Sequence, residues 1–184
     1  MDCIRTPSPL AAMLVATSYA YPWSDLITRY KFGERPGWAA FFAGLLLQAQ
    51  GVRQTLAGLD ARDLMIPMPL SAERLQSRGF NQAWELASAL AKQSASPARV
   101  DALLLLRTRN TRPQTELKRE ARLANVKGAF QIDPLRLAEI AGRRVVLVDD
   151  VVTSGASIFT AARAVKAAGA TSVTGISIAK TDLA

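Results

Sequence analysis

The chain has 184 residues, of which 49% are hydrophobic and 21% charged, the make-up of a folded domain with a substantial core rather than of a disordered chain. Its 23 basic and 15 acidic residues leave a net charge of +8, which favours anionic partners (phosphates, nucleic acid or an acidic membrane surface) without choosing among them. There is no histidine, so histidine acid–base catalysis and histidine metal ligation are excluded, and the single cysteine, Cys3, excludes an internal disulfide and suits a reducing compartment.

In chain order, residues 11–21 read as a short strand and 22–34 as a helix opening at Pro22. One long helix is expected over about 37–57, carrying the apolar run from Ala39 to Leu47. Leu64 to Pro67 reads as the first core strand, and Asn81 to Gln93 as a helix. The very apolar Val100 to Leu106 is expected to be a strand buried on both faces, because Leu103–Leu106 lacks alternation. Arg107 to Gly128 is polar and basic, with a helical stretch near 115–124. Ala129 to Ile132, Val145 to Val148 and Ser172 to Ala179 read as strands, and 155–168 as a helix stopped at Gly169. Strands alternating with helices imply an α/β fold with a mostly parallel central sheet flanked by helices.

The most informative stretch is Val146 to Ser157. An apolar strand runs into Asp149 and Asp150, then into Val151-Val152-Thr153-Ser154-Gly155-Ala156-Ser157, where a helix begins. Open α/β sheets bind ligands at such a strand end. N–H groups at a helix start, with the Thr153, Ser154 and Ser157 hydroxyls beside them, make an anion cradle. Gly155 allows close backbone approach. The two carboxylates suit ribose hydroxyls or a hard cation such as Mg²⁺. Together they describe a site for a phosphorylated sugar, against the plainer reading of ordinary strand–turn–helix punctuation.

Two other segments bear on this. Pro67-Met68-Pro69-Leu70-Ser71 leads to Arg74 and Arg78, four apart, which would face one way on even a single helical turn and suit a pyrophosphate. Read alone, they are solvated loop charges. Arg107 to Gly128 holds seven basic residues and two acids, an excess of +5, and would serve as a lid over a bound pyrophosphate or as a solvated surface helix. Tyr30-Lys31-Phe32-Gly33 is by itself only a helix end with Gly33 as its cap.

Taken together, these segments resemble the ComF family of phosphoribosyltransferase-like proteins. The resemblance rests on Tyr30-Lys31-Phe32-Gly33, Pro67-Met68-Pro69-Leu70 with Arg78-Gly79-Phe80-Asn81-Gln82-Ala83, a pattern from Thr111 to Phe130, and the Asp149-Asp150 signature. It implies a type I phosphoribosyltransferase fold that binds phosphoribosyl pyrophosphate (PRPP) or ribose 5-phosphate. Residues 153–157 would then hold the 5-phosphate, and Asp149 and Asp150 the ribose hydroxyls. Leu70, Ser71, Arg74 and Arg78 would hold the pyrophosphate, with Arg112 from the lid as a catalytic cation. Mg²⁺ would accompany PRPP, bound directly or indirectly by Asp149 and Asp150. The implied chemistry is transfer of a phosphoribosyl group with release of pyrophosphate. The alternative is a non-catalytic accessory protein of DNA uptake that binds PRPP, single-stranded DNA or the uptake machinery.

The family usually opens with a four-cysteine zinc module, and Cys3 followed by Pro7-Ser8-Pro9-Leu10 corresponds to its last cysteine. One thiolate cannot hold a structural zinc, so none is expected. Residues 1–60 are accordingly read as an N-terminal strand and helices, a remnant hood region, and 61–184 as the core. The run Trp38 to Leu47 is about half the length of a membrane span, and no secretion signal opens the chain. The expectation is a cytoplasmic protein, or one peripheral at the inner face of the membrane, and not an integral membrane protein.

Overall fold

A computed structural model describes residues 8–32, 37–108 and 128–181. These form β1 (Ala12–Ser18), α1 (Trp23–Phe32), α2 (Trp38–Gln48), α3 (Val52–Ala57), β2 (Leu64–Pro67), α4 (Ala72–Arg78) and α5 (Gln82–Ser94). The short strands β3 (Arg99–Val100), β4 (Leu105–Arg107) and β5 (Phe130–Ile132) follow, then a 3₁₀ helix (Pro134–Glu139), β6 (Arg144–Val152), α6 (Ala156–Ala167) and β7 (Ser172–Lys180). Five strands make one all-parallel sheet in the order β1-β7-β6-β2-β3, while β4 and β5 pair antiparallel as a separate ribbon. This is the α/β architecture with helices on both faces that the sequence pattern implies.

The central strand β6 shows why its apolar run is continuous. Val145 and Leu147 face a core shared with Ile158, Ala161 and Val165 of α6 and with Phe130 and Ile132 of β5. Val146 and Val148 face a second core built on Phe42 and Leu46 of α2, Leu86 and Leu90 of α5, and Ile27 and Tyr30 of α1. Both faces are covered, so both alternating sets must be apolar. The crossover from β2 through α5 to β3 moves across the sheet in one direction, and that from β6 through α6 to β7 in the other. Right-handed crossovers leaving in opposite directions place their helices on opposite faces. A crevice therefore opens where the C-terminal ends of β2 and β6 lie side by side.

Three details differ from the sequence reading. The helix expected over 37–57 is broken, because Ala49 is extended (φ −69°, ψ 143°) and Gly51 takes a left-handed conformation (φ 81°). The strand carrying the acids does not stop at Val148 but runs on through Asp149 and Asp150 to Val152. Val100 to Leu106 is not one buried strand, for Leu103 is 72% exposed and only Leu104 and Leu105 are buried. Asp101 is the cause: its Oδ1 accepts the N–H groups of Leu103 and Leu104 at 3.0 and 3.1 Å, an Asx-type turn that steers the chain out of the sheet. As expected for the N-terminal part, a strand and helices form: β1 is the sheet's edge strand, paired in parallel with β7, and α2 and α3 share the core of the α5 face. Cys3 lies outside the described residues.

At the end of the sheet away from the crevice, buried Asp63 fixes the register of β2 and β6. Its Oδ1 accepts the Arg144 N–H at 2.9 Å, its Oδ2 accepts the Asp60 N–H at 2.8 Å, and it pairs with the Arg144 guanidinium. Burial works against its charge, but the Asp60 N–H and Arg144 hold its carboxyl below the ordinary value. A depressed folded-state pKa stabilises the fold above the ordinary carboxylate value of about 3.9, and that contribution is lost as pH falls below it. Replacing Asp63 by Ala is expected to cost about 2–4 kcal/mol in urea denaturation at neutral pH. The gap to wild type should narrow as the pH is taken below about 4. A gap that is absent at neutral pH, or that widens in acid, would contradict this assignment.

Candidate functional site

The two strand ends that flank the crevice supply different chemistry. Beyond β2, the Met68 N–H donates to the Val148 carbonyl at 2.8 Å, so the pairing with β6 continues past Pro67. Ser71 then starts α4, its Oγ accepting the Arg74 N–H at 3.3 Å, and Gly79 (φ 76°) ends it. Two turns of helix, where one was enough for the sequence argument, put Arg74 and Arg78 on one side. Beyond β6 comes the Thr153–Gly155 turn. Gly155 (φ 76°) precedes α6 and, having no side chain, brings no cap of its own to the helix's positive end.

A cleft of about 320 Å³ joins these segments. It is lined by Leu70, Arg74 and Arg78 from the first, by Asp149, Asp150, Val151, Thr153 and Ser157 from the second, and by Tyr19, Lys31, Gln82, Arg107 and Phe130. A smaller cradle of about 40 Å³ adjoins it, lined by Asp149, Val151, Val152, Thr153, Gly155, Ala156, Ser157 and Ile158. Of the other residues singled out in the sequence, Ser71 is buried as the α4 cap, and Ser154 Oγ accepts the Ala156 N–H at 3.4 Å. Ser154 lines neither space. Arg112, and with it the segment read as a lid, lies outside the described residues, as does Gly33. Asn81 caps α5, its Oδ1 accepting the Ala83 N–H at 2.9 Å, and Phe80 packs against the core.

The two adjacent acids are not equivalent. Asp150 is 5% exposed, and both of its carboxylate oxygens are engaged. Its Oδ1 accepts the Val151 N–H at 2.7 Å, while its Oδ2 accepts Gln82 Nε2 at 3.0 Å and lies 3.2 Å from Lys31 Nζ. Burial opposes its charge, but Lys31, Val151 and Gln82 hold the carboxyl below the ordinary range. Asp149 is only partly buried and uses Oδ1 to accept the Asp150 N–H at 2.9 Å. Burial and the charge of Asp150 push its carboxyl well above the ordinary range. The backbone beneath is fixed as well, with Ser177 Oγ 3.0 Å from the carbonyl oxygens of both Asp150 and Ala179.

Lys31 and Gln82 are the site residues that sequence reasoning missed as such. Tyr30 OH donates to the Gln82 carbonyl at 2.6 Å and so ties α1 to α5. Burial, then the nearby Asp150 charge, pushes the Tyr30 phenol up, so it remains a donor. The signal available was the Tyr-Lys-Phe-Gly element, which carried no chemistry until α1 was seen against β6.

Around the cleft stand four cations, Lys31, Arg74, Arg78 and Arg107, against two carboxylates. Burial and the neighbouring Arg74 both work against the Arg107 charge, and burial works against that of Arg78. Such crowding favours a multiply charged anion. For a divalent cation the donor set is specific. Asp150 already spends both oxygens within the protein, so Asp149 is the carboxylate better placed to share an ion that arrives on the oxygens of a ligand. Mg²⁺, which keeps few protein ligands and readily binds phosphates, suits that arrangement. Among the described residues no group of three or more His, Cys, Asp or Glu is arranged to hold a metal.

Two glycines give a test of how tightly the turn is built. Gly155 and Gly79 share φ 76°, but a Cβ on Gly155 would sit 2.6 Å from Phe159 Cε2, whereas one on Gly79 would meet nothing within 4 Å. Each alanine substitution is expected to cost about 1–2 kcal/mol for the left-handed backbone. Gly155→Ala should cost about 1 kcal/mol or more beyond Gly79→Ala, because Phe159 must move. Equal losses in paired denaturation curves would mean that the turn has room to spare.

The chain is similar to known proteins over most of its length. The family model for the phosphoribosyl transferase domain matches residues 76–180, more than half of the chain. DNA utilization protein YhgH of Escherichia coli O6:H1 is 33% identical over 171 residues, covering 93% of this chain and 73% of that protein. Competence protein F of Haemophilus influenzae is 31% identical over 157 residues, 85% of this chain and 67% of that one. Competence protein ComFC of Bacillus subtilis is 34% identical over 104 residues, 56% of this chain and 38% of that one. No helix among the described residues is long and apolar enough to cross a membrane. With the phosphoribosyl transferase domain matched and these relatives aligned over most of its length, the chain belongs to the ComF family of phosphoribosyltransferase-like proteins.

Proposed function

We propose that the chain binds PRPP together with Mg²⁺ and transfers its phosphoribosyl group to an acceptor with release of pyrophosphate. The observation that carries this reading is a cleft that brings an acid pair together with two arginines on one helical face, and the helix-start cradle that adjoins it. The cradle at 153–157 takes the 5-phosphate through backbone N–H and hydroxyl groups. Asp149 and Asp150 face the ribose hydroxyls. Arg74 and Arg78 take the pyrophosphate, with Leu70 and the Ser71 cap shaping the loop that carries them. Arg112 belongs to this reading as a further cation on the leaving group.

The reaction asks little covalent help of the protein. The bond between ribose C1 and the pyrophosphate oxygen breaks as the acceptor's bond to C1 forms, and positive charge builds on the sugar while negative charge builds on the pyrophosphate. Fixed guanidinium groups stabilise the departing charge, and a fixed carboxylate pair orients the ribose. When bound, Mg²⁺ would neutralise part of the pyrophosphate charge. The lack of histidine is compatible with a mechanism that turns on electrostatics and positioning.

Calorimetry with PRPP and Mg²⁺ tests the binding half. Wild type is expected to bind, and the double substitution Asp150→Ala with Gly155→Val to lose about tenfold or more in affinity. An affinity unchanged by that pair would remove residues 149–157 from the site. Pyrophosphate release, followed with and without ammonia or nucleobase acceptors, tests the transfer half.

The names of the relatives favour a second reading, a DNA-uptake role in which the same cleft is regulatory and single-stranded DNA or the uptake machinery is the partner. The net charge of +8 suits such a surface. Without a base-reading motif, binding to single-stranded DNA should be electrostatic, weakening by about tenfold or more between 50 and 200 mM salt. Affinity flat across that range, measured by fluorescence anisotropy, would contradict it, and absence of binding at 50 mM would leave the small-molecule reading alone.

A further inference from the structure

Three successive residues in the last turn of α1 each touch a residue that lines the cleft, and the proposed chemistry above uses none of the three. Tyr30 donates to the Gln82 carbonyl at 2.6 Å. Lys31 places Nζ 3.2 Å from Asp150 Oδ2. Phe32 lies under the Arg78 guanidinium, 4.9 Å from ring centroid to Cζ. One turn of helix from the N-terminal part of the chain thus meets the helix carrying Gln82, the acid strand and the arginine helix.

Lys31 does more there than balance a charge. Its side chain is 19% exposed and lines the cleft, so its ammonium faces both the buried carboxylate and the space a ligand would fill. An ammonium has three donors, and Asp150 takes one. Beside it stands Gln82, 3% exposed, whose Nε2 is spent on Asp150 and whose Oε1 is buried without a hydrogen-bond partner. A buried acceptor of this kind calls for a donor. Leftover donors on Lys31 and an acceptor short of a donor on Gln82 suit a ligand that carries both anionic oxygens and hydroxyl groups. A phosphorylated sugar is such a ligand, and pyrophosphate alone, with no hydroxyl, is a poorer match.

We propose that Lys31 contacts the ligand directly, bridging Asp150 to the sugar end of a phosphorylated ribose, so that α1 is a working part of the site. This rests on the PRPP reading above and adds to it a residue and a place: the sugar, not the pyrophosphate.

The experiment is calorimetry on the full chain with two probes, PRPP with Mg²⁺ and inorganic pyrophosphate with Mg²⁺, using wild type, Lys31→Met and Lys31→Arg. Lys31→Met is expected to weaken PRPP about ten- to hundredfold while leaving pyrophosphate within about twofold. Lys31→Arg, which keeps the charge and donors, should stay within about fivefold of wild type for both. Unchanged PRPP affinity in Lys31→Met would overturn the proposal and leave the PRPP site standing. Equal losses for both probes, with no rescue by arginine, would make Lys31 a structural counter-charge and overturn it as well. A wild-type chain that fails to bind PRPP would instead remove the reading on which the proposal rests.

Discussion

The parallel pairing of β2 with β6 is the constraint on which the rest depends. Leu64 to Pro67 lies in register against Val145 to Val148, and the crossovers that leave these two strands run in opposite directions. Asp63 locks one end of that pair through Arg144. At the other end, the two chains must part, one toward each face. The crevice between them is not carved by any special residue. It follows from right-handed crossovers on either side of a switch in strand order.

What lines the crevice is chiefly charge. Four cations surround two carboxylates, and the carboxylates are held apart in character by their neighbours. Lys31, Gln82 and the Val151 N–H hold the Asp150 carboxyl low despite its burial, while burial and then the Asp150 charge raise the carboxyl of Asp149 beside it. Two like charges on adjacent residues cannot both be cheaply ionised, so one is anchored and the other is left responsive to what binds. The anchoring ammonium comes from α1, which buries Ile27 and Tyr30 in the core on the same face as α2 and α5. Packing in that core therefore sets the electrostatics of the site.

Much of this was legible in the sequence where the information was local. Strand, acids, turn and helix follow one another between Val146 and Ser157, so their junction could be read from composition and order. The spacing of Arg74 and Arg78 fixed their common side as soon as Ser71 and Gly79 bounded a helix. Other features were hidden because a distant or competing group decides them. Lys31 meets Asp150 only through the packing of α1, and Gln82 reaches the same carboxylate across 68 positions. The four leucines from Leu103 read as a buried strand, yet the Asp101 carboxylate captures two of their backbone N–H groups and turns the chain aside. The extension of β6 through both acids was missed because paired carboxylates are poor strand formers. Here Gln82 and Lys31 supply the partners that make Asp150 tolerable in a buried strand.

The central claim is that the crevice between β2 and β6 receives a phosphorylated ribose in one orientation. A crystal structure of the protein grown with PRPP and Mg²⁺ tests it most directly. The account predicts the 5-phosphate against residues 153–157, the ribose hydroxyls toward Asp149 and Asp150, and the pyrophosphate toward Arg74 and Arg78. Density for the sugar in the reverse orientation, or lodged away from the ends of β2 and β6, would contradict it.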